Sequence, residues 1–194
     1  MKAQSRPRAS APRKQPAISV IVEDPRWRED AAVLRLIRRA ARLALVNNTC
    51  PGKGRGKEGT GVRQRAGRGS ESAPGLTILL TDDAKLRALN ASFRGHDKPT
   101  NVLSFPSASS DEPYLGDVAL GRGVVAREAR AQGKSFAAHS AHLVIHGILH
   151  LTGHDHEKAN DARVMEARER ALLAELGIAD PYAPRHYTRR GKAA

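Results

Sequence analysis

The sequence predicts an α+β fold, a mixed four-stranded sheet packed with about five helices in a single domain. Three observations predict it. Four short apolar runs of strand length alternate irregularly with amphipathic segments of helix length. Glycines at 95, 133, 153 and 177 stand where helical periodicity stops. The 194 residues suit one buried core, and with 40% hydrophobic but only 4% aromatic residues that core should be aliphatic.

The elements follow in order. AISVIVED (17–24) opens with an apolar run and reads as a strand. Residues 29–46 carry apolar side chains at 33, 34, 36, 37, 41, 43 and 45 with arginines between them, the pattern of an amphipathic helix. Residues 47–75 then break all periodicity. Eight of these 29 residues are glycine, which predicts a disordered insertion. LTILL (76–80) is a strand. A helix over 81–95 has Thr81 as candidate N-cap, two acids in its first turn and Gly95 at its end. NVLSFP (101–106) and DVALG (117–121) are strands around a Ser/Asp/Glu/Pro loop. Helices follow over 124–133, over 135–153 (long, mostly apolar and central) and over 157–177. There are no internal repeats.

The net charge of +13 is unevenly placed. Residues 1–16 carry +5, residues 47–75 carry +4 and residues 181–194 carry +4, so the rest of the chain is formally neutral. The expected organisation is therefore a disordered basic N-terminal arm (1–16), one globular domain (17–182) with the basic insertion, and a basic C-terminal tail (183–194). Basic appendages on a neutral globule suit a polyanion, nucleic acid being the commonest, although such runs also serve as solubility tails. The N-terminal segment lacks the apolar stretch of a secretory signal. Its Arg-rich, acid-free composition also suits a transit peptide, but a basic arm is the plainer reading. No apolar run approaches the ~18 residues of a membrane span. A lone Cys50 fits a reducing, cytoplasmic setting.

HGILHLTGHDH (146–156) places four of the chain's eight histidines in eleven positions. His142, His146 and His150 share a helix face at four-residue spacing. All three cannot hold one metal, because eight helical residues span ~12 Å and two zinc ligands are separated by at most about twice a ~2.1 Å bond. His146 and His150 can do so, with His154 or His156 returning after Gly153 to close the set. Three imidazoles and an open fourth position are the usual pattern of a catalytic zinc, which lowers the pKa of a bound water. His139 and His142 read as packing or orienting histidines. Asp155 reads either as an orienter of a ligand imidazole or as a cap of the turn. His96 and His186 receive no role. The H-E-x-x-H zinc-protease helix is the obvious comparison, but here Gly147 stands where the general base would be. An interior helix glycine costs about 1 kcal/mol relative to Ala, so close helix packing or a substrate over the metal should require it.

The block 142–182 resembles the YbeY-type endoribonucleases, bacterial rRNA maturation factors with a metal-dependent hydrolase fold. HGILHLTGHDH matches that family's H-G-x-L-H-L-x-G-[YH]-D-H. LNASFRGHDKPTNVLSFP (89–106) resembles its second block, and LGDVALG (115–121) its G-D-[IV] strand. The resemblance implies that His146, His150 and His156 bind one zinc ion and that Arg94 lies in the active-site cleft. An arginine there suits bidentate binding of a phosphodiester. Without the resemblance, Arg94 is an ordinary helix-end arginine. Two departures stand out. Asn101 replaces the family's usual Asp, and the 47–75 insertion is longer and more basic than usual.

The implied function is a zinc-dependent, single-strand-specific endoribonuclease in 3′-end maturation of small-subunit rRNA and in ribosome quality control. Its partners would be single-stranded rRNA and the small subunit with its proteins, with no membrane and no small-molecule cofactor. No residue offers itself as general base. Few aromatics are available for base stacking, which favours recognition by backbone and shape. The rivals are a non-catalytic assembly factor with structural zinc and, weakened by Gly147, a metalloprotease.

Overall fold

The computed structural model describes residues 17–48, 74–108 and 114–183. Its strands are β1 (Ile18–Val22), β2 (Gly75–Thr81), β3 (Val102–Pro106) and β4 (Tyr114–Gly121), and its helices are α1 (Ala31–Asn48), α2 (Asp83–Arg94), α3 (Arg122–Ala131), α4 (Phe136–Leu151) and α5 (Ala159–Glu175). The strands form one sheet in the order β1-β2-β4-β3. β1, β2 and β4 are parallel, and β3 runs antiparallel to β4. The fold is therefore α+β with a mixed sheet. α1 lies in the crossover that parallel β1 and β2 require, whereas the antiparallel pair β3 and β4 needs no such crossover.

Period-two patterning divides the sheet into two faces. Leu76, Ile78 and Leu80 of β2, with Val118 and Leu120 of β4, point into the main core. There they meet α1 through Val33, Ile37, Ala40, Ala41, Ala44 and Leu45, and α4 through Ala141, Val144, Ile145, Ile148 and Leu149. The many alanines of α1 let it lie close to α4, and α5 adds Met165, Leu172 and Leu173 to the same core. The opposite face is thinner. Leu103 of β3 and Ala119 of β4 pack there against Leu86 of α2, with Leu79, Leu89 and Phe105 at the margin.

Three details differ from the sequence expectations. The chain between β1 and α1 makes a 3-10 turn at Pro25–Arg28, which buries Trp27 against Phe136 with ring centroids 5.0 Å apart. The indole N–H donates to the Thr81 carbonyl at 3.0 Å. Thr81 is not the cap of α2. It pairs with Gly121 as the last residue of β2, and its hydroxyl donates to Glu23. Asp82 caps the helix instead, accepting from the Lys85 amide at 2.8 Å, because the strand pairing already engages Thr81. The expected insertion also loses its ends, since α1 runs to Asn48 and β2 begins at Gly75. The 1–16 arm, residues 49–73 of the insertion and residues 184–194 of the tail lie outside the described residues.

Candidate metal centre

α4 is the structural axis of the site. Ser135 caps it by accepting from the Ala138 amide, and most of its residues are buried, Leu143, Val144, Ile145, Ile148, Leu149 and Leu151 among them. One side carries His142, His146 and His150. Gly147 faces the sheet and not this histidine row. A Cβ there would lie 2.7 Å from Val118 Cγ1 and 3.0 Å from Ser104 Oγ, and Ser104 donates its hydroxyl to the Gly147 carbonyl at 3.1 Å. Of the two reasons the sequence offered for this glycine, close packing is the one observed. A glutamate at 147 would be driven into the sheet. At the end of α4, Gly153 adopts φ 89°, a conformation open to glycine at no steric cost. The reversal brings His156 back beside the helix.

His146, His150 and His156 converge. One ring nitrogen from each lies within 4.8 Å of the other two. Ring centroids are 4.7 Å apart for His146 and His150, 5.4 Å for His146 and His156, and 4.9 Å for His150 and His156. The hydrogen bonds fix which nitrogens face inward. His146 Nδ1–H donates to Glu169 Oε1 at 2.8 Å. His150 Nδ1–H donates to the His154 carbonyl at 3.1 Å. A carboxylate and a carbonyl can only accept, so the neutral rings present bare Nε2 lone pairs, and these oppose each other at 3.2 Å. Two facing lone pairs repel unless a cation lies between them. Two tetrahedral ligands on ~2.1 Å bonds are separated by roughly 3.4 Å, so the spacing suits a shared metal ion. Burial lowers the pKa of His150, and the imidazoles of His146 and His156 lower it further. The neutral form that a metal requires is thereby favoured.

The carboxylate behind the row is Glu169 of α5, which has no exposed surface. It accepts from His146, from His142 Nε2–H at 2.9 Å and from the Tyr182 hydroxyl. Burial on its own pushes this carboxyl up. The hydrogen bonds from His142, His146 and Tyr182 outweigh that and hold it far below the usual carboxylate range. Burial, then the bond to Glu169, pushes the Tyr182 phenol well above its ordinary value. Both shifts favour the same arrangement, with Tyr182 as donor and Glu169 as the ionised acceptor at neutral pH. A second, partly buried link lies one turn earlier. His139 Nε2–H and Asn101 Nδ2–H both donate to Glu128 Oε2, at 2.8 and 2.9 Å. Asn101 also accepts from the Val102 amide at 2.7 Å. At this position the amide does structural work that a carboxylate facing Glu128 could not do without a proton.

The other histidines and acids fall elsewhere. His154 turns away from the cluster, its Nδ1 3.4 Å from the Thr152 hydroxyl. Asp155 caps the turn by accepting from the amides of His156 and Glu157. His96 is exposed, and His186 lies outside the described residues. Arg94 is the last residue of α2. Its guanidinium donates to the Ser104 carbonyl at 3.4 Å, and Ser104 in turn bonds to α4 beside His146. Glu169 and Tyr182 received no role from the sequence. Glu169 had a readable signal, a lone acid within the buried row Met165, Leu172 and Leu173. Tyr182 had none, since it acts from beyond the last helix.

The profile of the family described as Endoribonuclease YbeY matches residues 62–177. A protein of that name from Chelativorans sp. (strain BNC1) is 58% identical over 113 residues, which is 56% of this chain and 69% of the relative. Another from Rhodopseudomonas palustris (strain ATCC BAA-98 / CGA009) is 55% identical over 114 residues, covering 56% of this chain and 60% of the relative. A third, from Rhodopseudomonas palustris (strain HaA2), is 42% identical over 183 residues, covering 87% of this chain and 82% of the relative. Among solved structures, the solution structure of TM1509 from Thermotoga maritima matches with a TM-score of 0.50 and 21% identity, covering 86% of this chain and 99% of the other. At that identity the likeness speaks for the fold alone. The profile match and the alignment over most of the length together establish that the chain belongs to the endoribonuclease YbeY family.

Proposed function

We propose that this protein is a zinc-dependent endoribonuclease that cuts single-stranded RNA, acting near the 3′ end of small-subunit rRNA during maturation and in ribosome quality control. The observation that carries the chemistry is the convergence of His146, His150 and His156, with the bare Nε2 atoms of the first two at 3.2 Å. Family membership supports the substrate class. His146, His150 and His156 would hold the ion, which supplies Lewis-acid activation of a phosphodiester and of the water that attacks it. Glu169 and the His154 carbonyl keep the Nδ1 protons in place, so the ligand nitrogens stay aimed inward. Arg94, whose partner among the described residues is the Ser104 carbonyl, offers a guanidinium to the phosphate and to the negative charge that grows on it. Gly147 packs against Val118 and leaves no place for a protease-type glutamate.

Replacing His150 with Ala and comparing both proteins for bound zinc and for cleavage of a single-stranded small-subunit rRNA fragment tests the assignment. The expected wild type carries about one zinc per chain and cuts. The variant stays folded and loses both. Arg94→Ala should keep the metal and lose at least about a hundredfold in cleavage, the scale of removing one transition-state donor. Wild-type protein that binds zinc, is free of contaminating nuclease and cuts no RNA would move a non-catalytic assembly factor to first place.

A further inference from the structure

Phe93 is the most exposed of the large apolar side chains among the described residues, at 67%. A phenylalanine in the last turn of a helix ordinarily folds down onto the protein. This one stands against the Phe105 ring edge-on, with centroids 5.0 Å apart and planes 66° apart. Phe105 is itself part of the thin core under α2. The contact therefore braces the Phe93 ring from one side and leaves its remaining surface in water. Burying that ring more fully was open to the sequence, because Leu86 and Leu89 on the same helix do pack down.

The surroundings are cationic. Arg94 follows directly, Lys98 lies just beyond the Gly95 turn, and neither makes an ion pair among the described residues. The nearby Asp97 is already neutralised by Arg87 at 2.6 Å. Arg94 points to the outer edge of β3 through Ser104, whose hydroxyl bonds α4 next to His146. A braced aromatic face and an unpaired guanidinium on consecutive residues match the two repeating parts of a single strand of nucleic acid, the base and the phosphate. In a duplex the base faces are already covered by their neighbours, so a free ring of this kind serves only a strand that is unpaired.

We propose that Phe93 is a base-stacking platform that takes one unpaired RNA base while Arg94 holds an adjoining phosphate, and that this pair contributes to the selection of single strands. The proposal rests on the endoribonuclease reading and goes beyond it in naming the residue that contacts a base. It also adds one base contact to the expectation that the shortage of aromatics leaves recognition mainly to backbone and shape.

The test uses the zinc-loaded protein and a short oligoribonucleotide carrying 2-aminopurine, which reports stacking by loss of fluorescence and is read in the first moments after mixing, before cleavage. Wild type, Phe93→Leu and Phe93→Trp are compared for affinity and quenching, then for KM and kcat on the unmodified strand. Phe93→Leu keeps the apolar surface but removes the π face. It should weaken binding about tenfold, abolish the quenching and raise KM with kcat little changed. Phe93→Trp should restore all three. Equal affinity and quenching in wild type and Phe93→Leu, with cleavage intact, would overturn the platform and leave the nuclease standing. Failure of the zinc-loaded wild type either to bind or to cut any single strand would overturn both. A loss in Phe93→Leu of self-association, with RNA binding unchanged, would make the ring a contact between copies of the chain and would equally overturn the proposal.

Discussion

Glu169 is a full negative charge at a position with no exposed surface. Such a charge is tolerated only when hydrogen bonds replace its hydration. Here three donors do so, and two of them are histidines of α4. Glu169→Gln removes the charge and turns one acceptor into an N–H that must face another donor. Metal affinity should fall roughly 10- to 100-fold, the usual scale for losing the partner of a ligating imidazole. Competition with a chromophoric chelator measures it. Because the folded carboxyl sits below its unfolded value, it stabilises the protein above the ordinary carboxylate range, and that contribution is lost as pH falls. Urea unfolding of the metal-free protein should therefore separate wild type from Glu169→Gln clearly at pH 7 and progressively less in acid. A constant difference across that range would show that the carboxylate acts by shape alone.

At the scale of elements, α4 does two jobs on opposite sides, and Gly147 is where they meet. Gly147→Ala gains about 1 kcal/mol of helix propensity. It also forces a methyl to within 2.7 Å of Val118, and overpacking of this kind costs about 1–3 kcal/mol. The net change should be destabilising, and a second change, Val118→Ala, should recover part of it. Additive losses in that double-mutant cycle would mean that the contact is not the cause. The sequence made α4 readable because its apolar run, its cap and its terminal glycine agree with one another. It made the three converging histidines readable because they lie within eleven residues of one helix and one turn. What lay out of reach came from elsewhere in the chain. Tyr182 acts from beyond α5, Trp27 folds in from a 3-10 turn that no periodicity announces, and Thr81 lost its capping role to a sheet pairing that appears only in three dimensions. The carboxylate at 169 was visible as an anomaly in an apolar row, but its meaning required knowing which helix that row faces.

For the whole molecule, the charge lies in the three segments at the ends and in the insertion, and the remaining chain is formally neutral. If these segments hold RNA, affinity should be strongly salt-dependent. Removing residues 1–16, with their five cationic side chains, should flatten the slope of log K against log salt by up to about 3.5 units. An unchanged slope would reduce the arm to a solubility device. The two open edges of the sheet give that experiment a further side. β3, at one edge, is blunted by its own chemistry. The Val102 amide is taken by Asn101, the Ser104 carbonyl by Arg94, and Pro106 has no N–H to offer. β1, at the other edge, is an almost wholly apolar run of Ile, Ser, Val, Ile and Val whose guard is Arg28, donating to the Val22 carbonyl at 3.5 Å at its far end, and Ile21 is half exposed. Immediately before it the chain carries Arg13, Lys14 and Pro16, the residue types that keep a bare strand from adding to its own copies. A chain trimmed to begin at Ala17 would therefore shed a gatekeeper along with its charge, and its first symptom should be slow fibrillar or amorphous self-addition through β1 at concentrations the full chain tolerates.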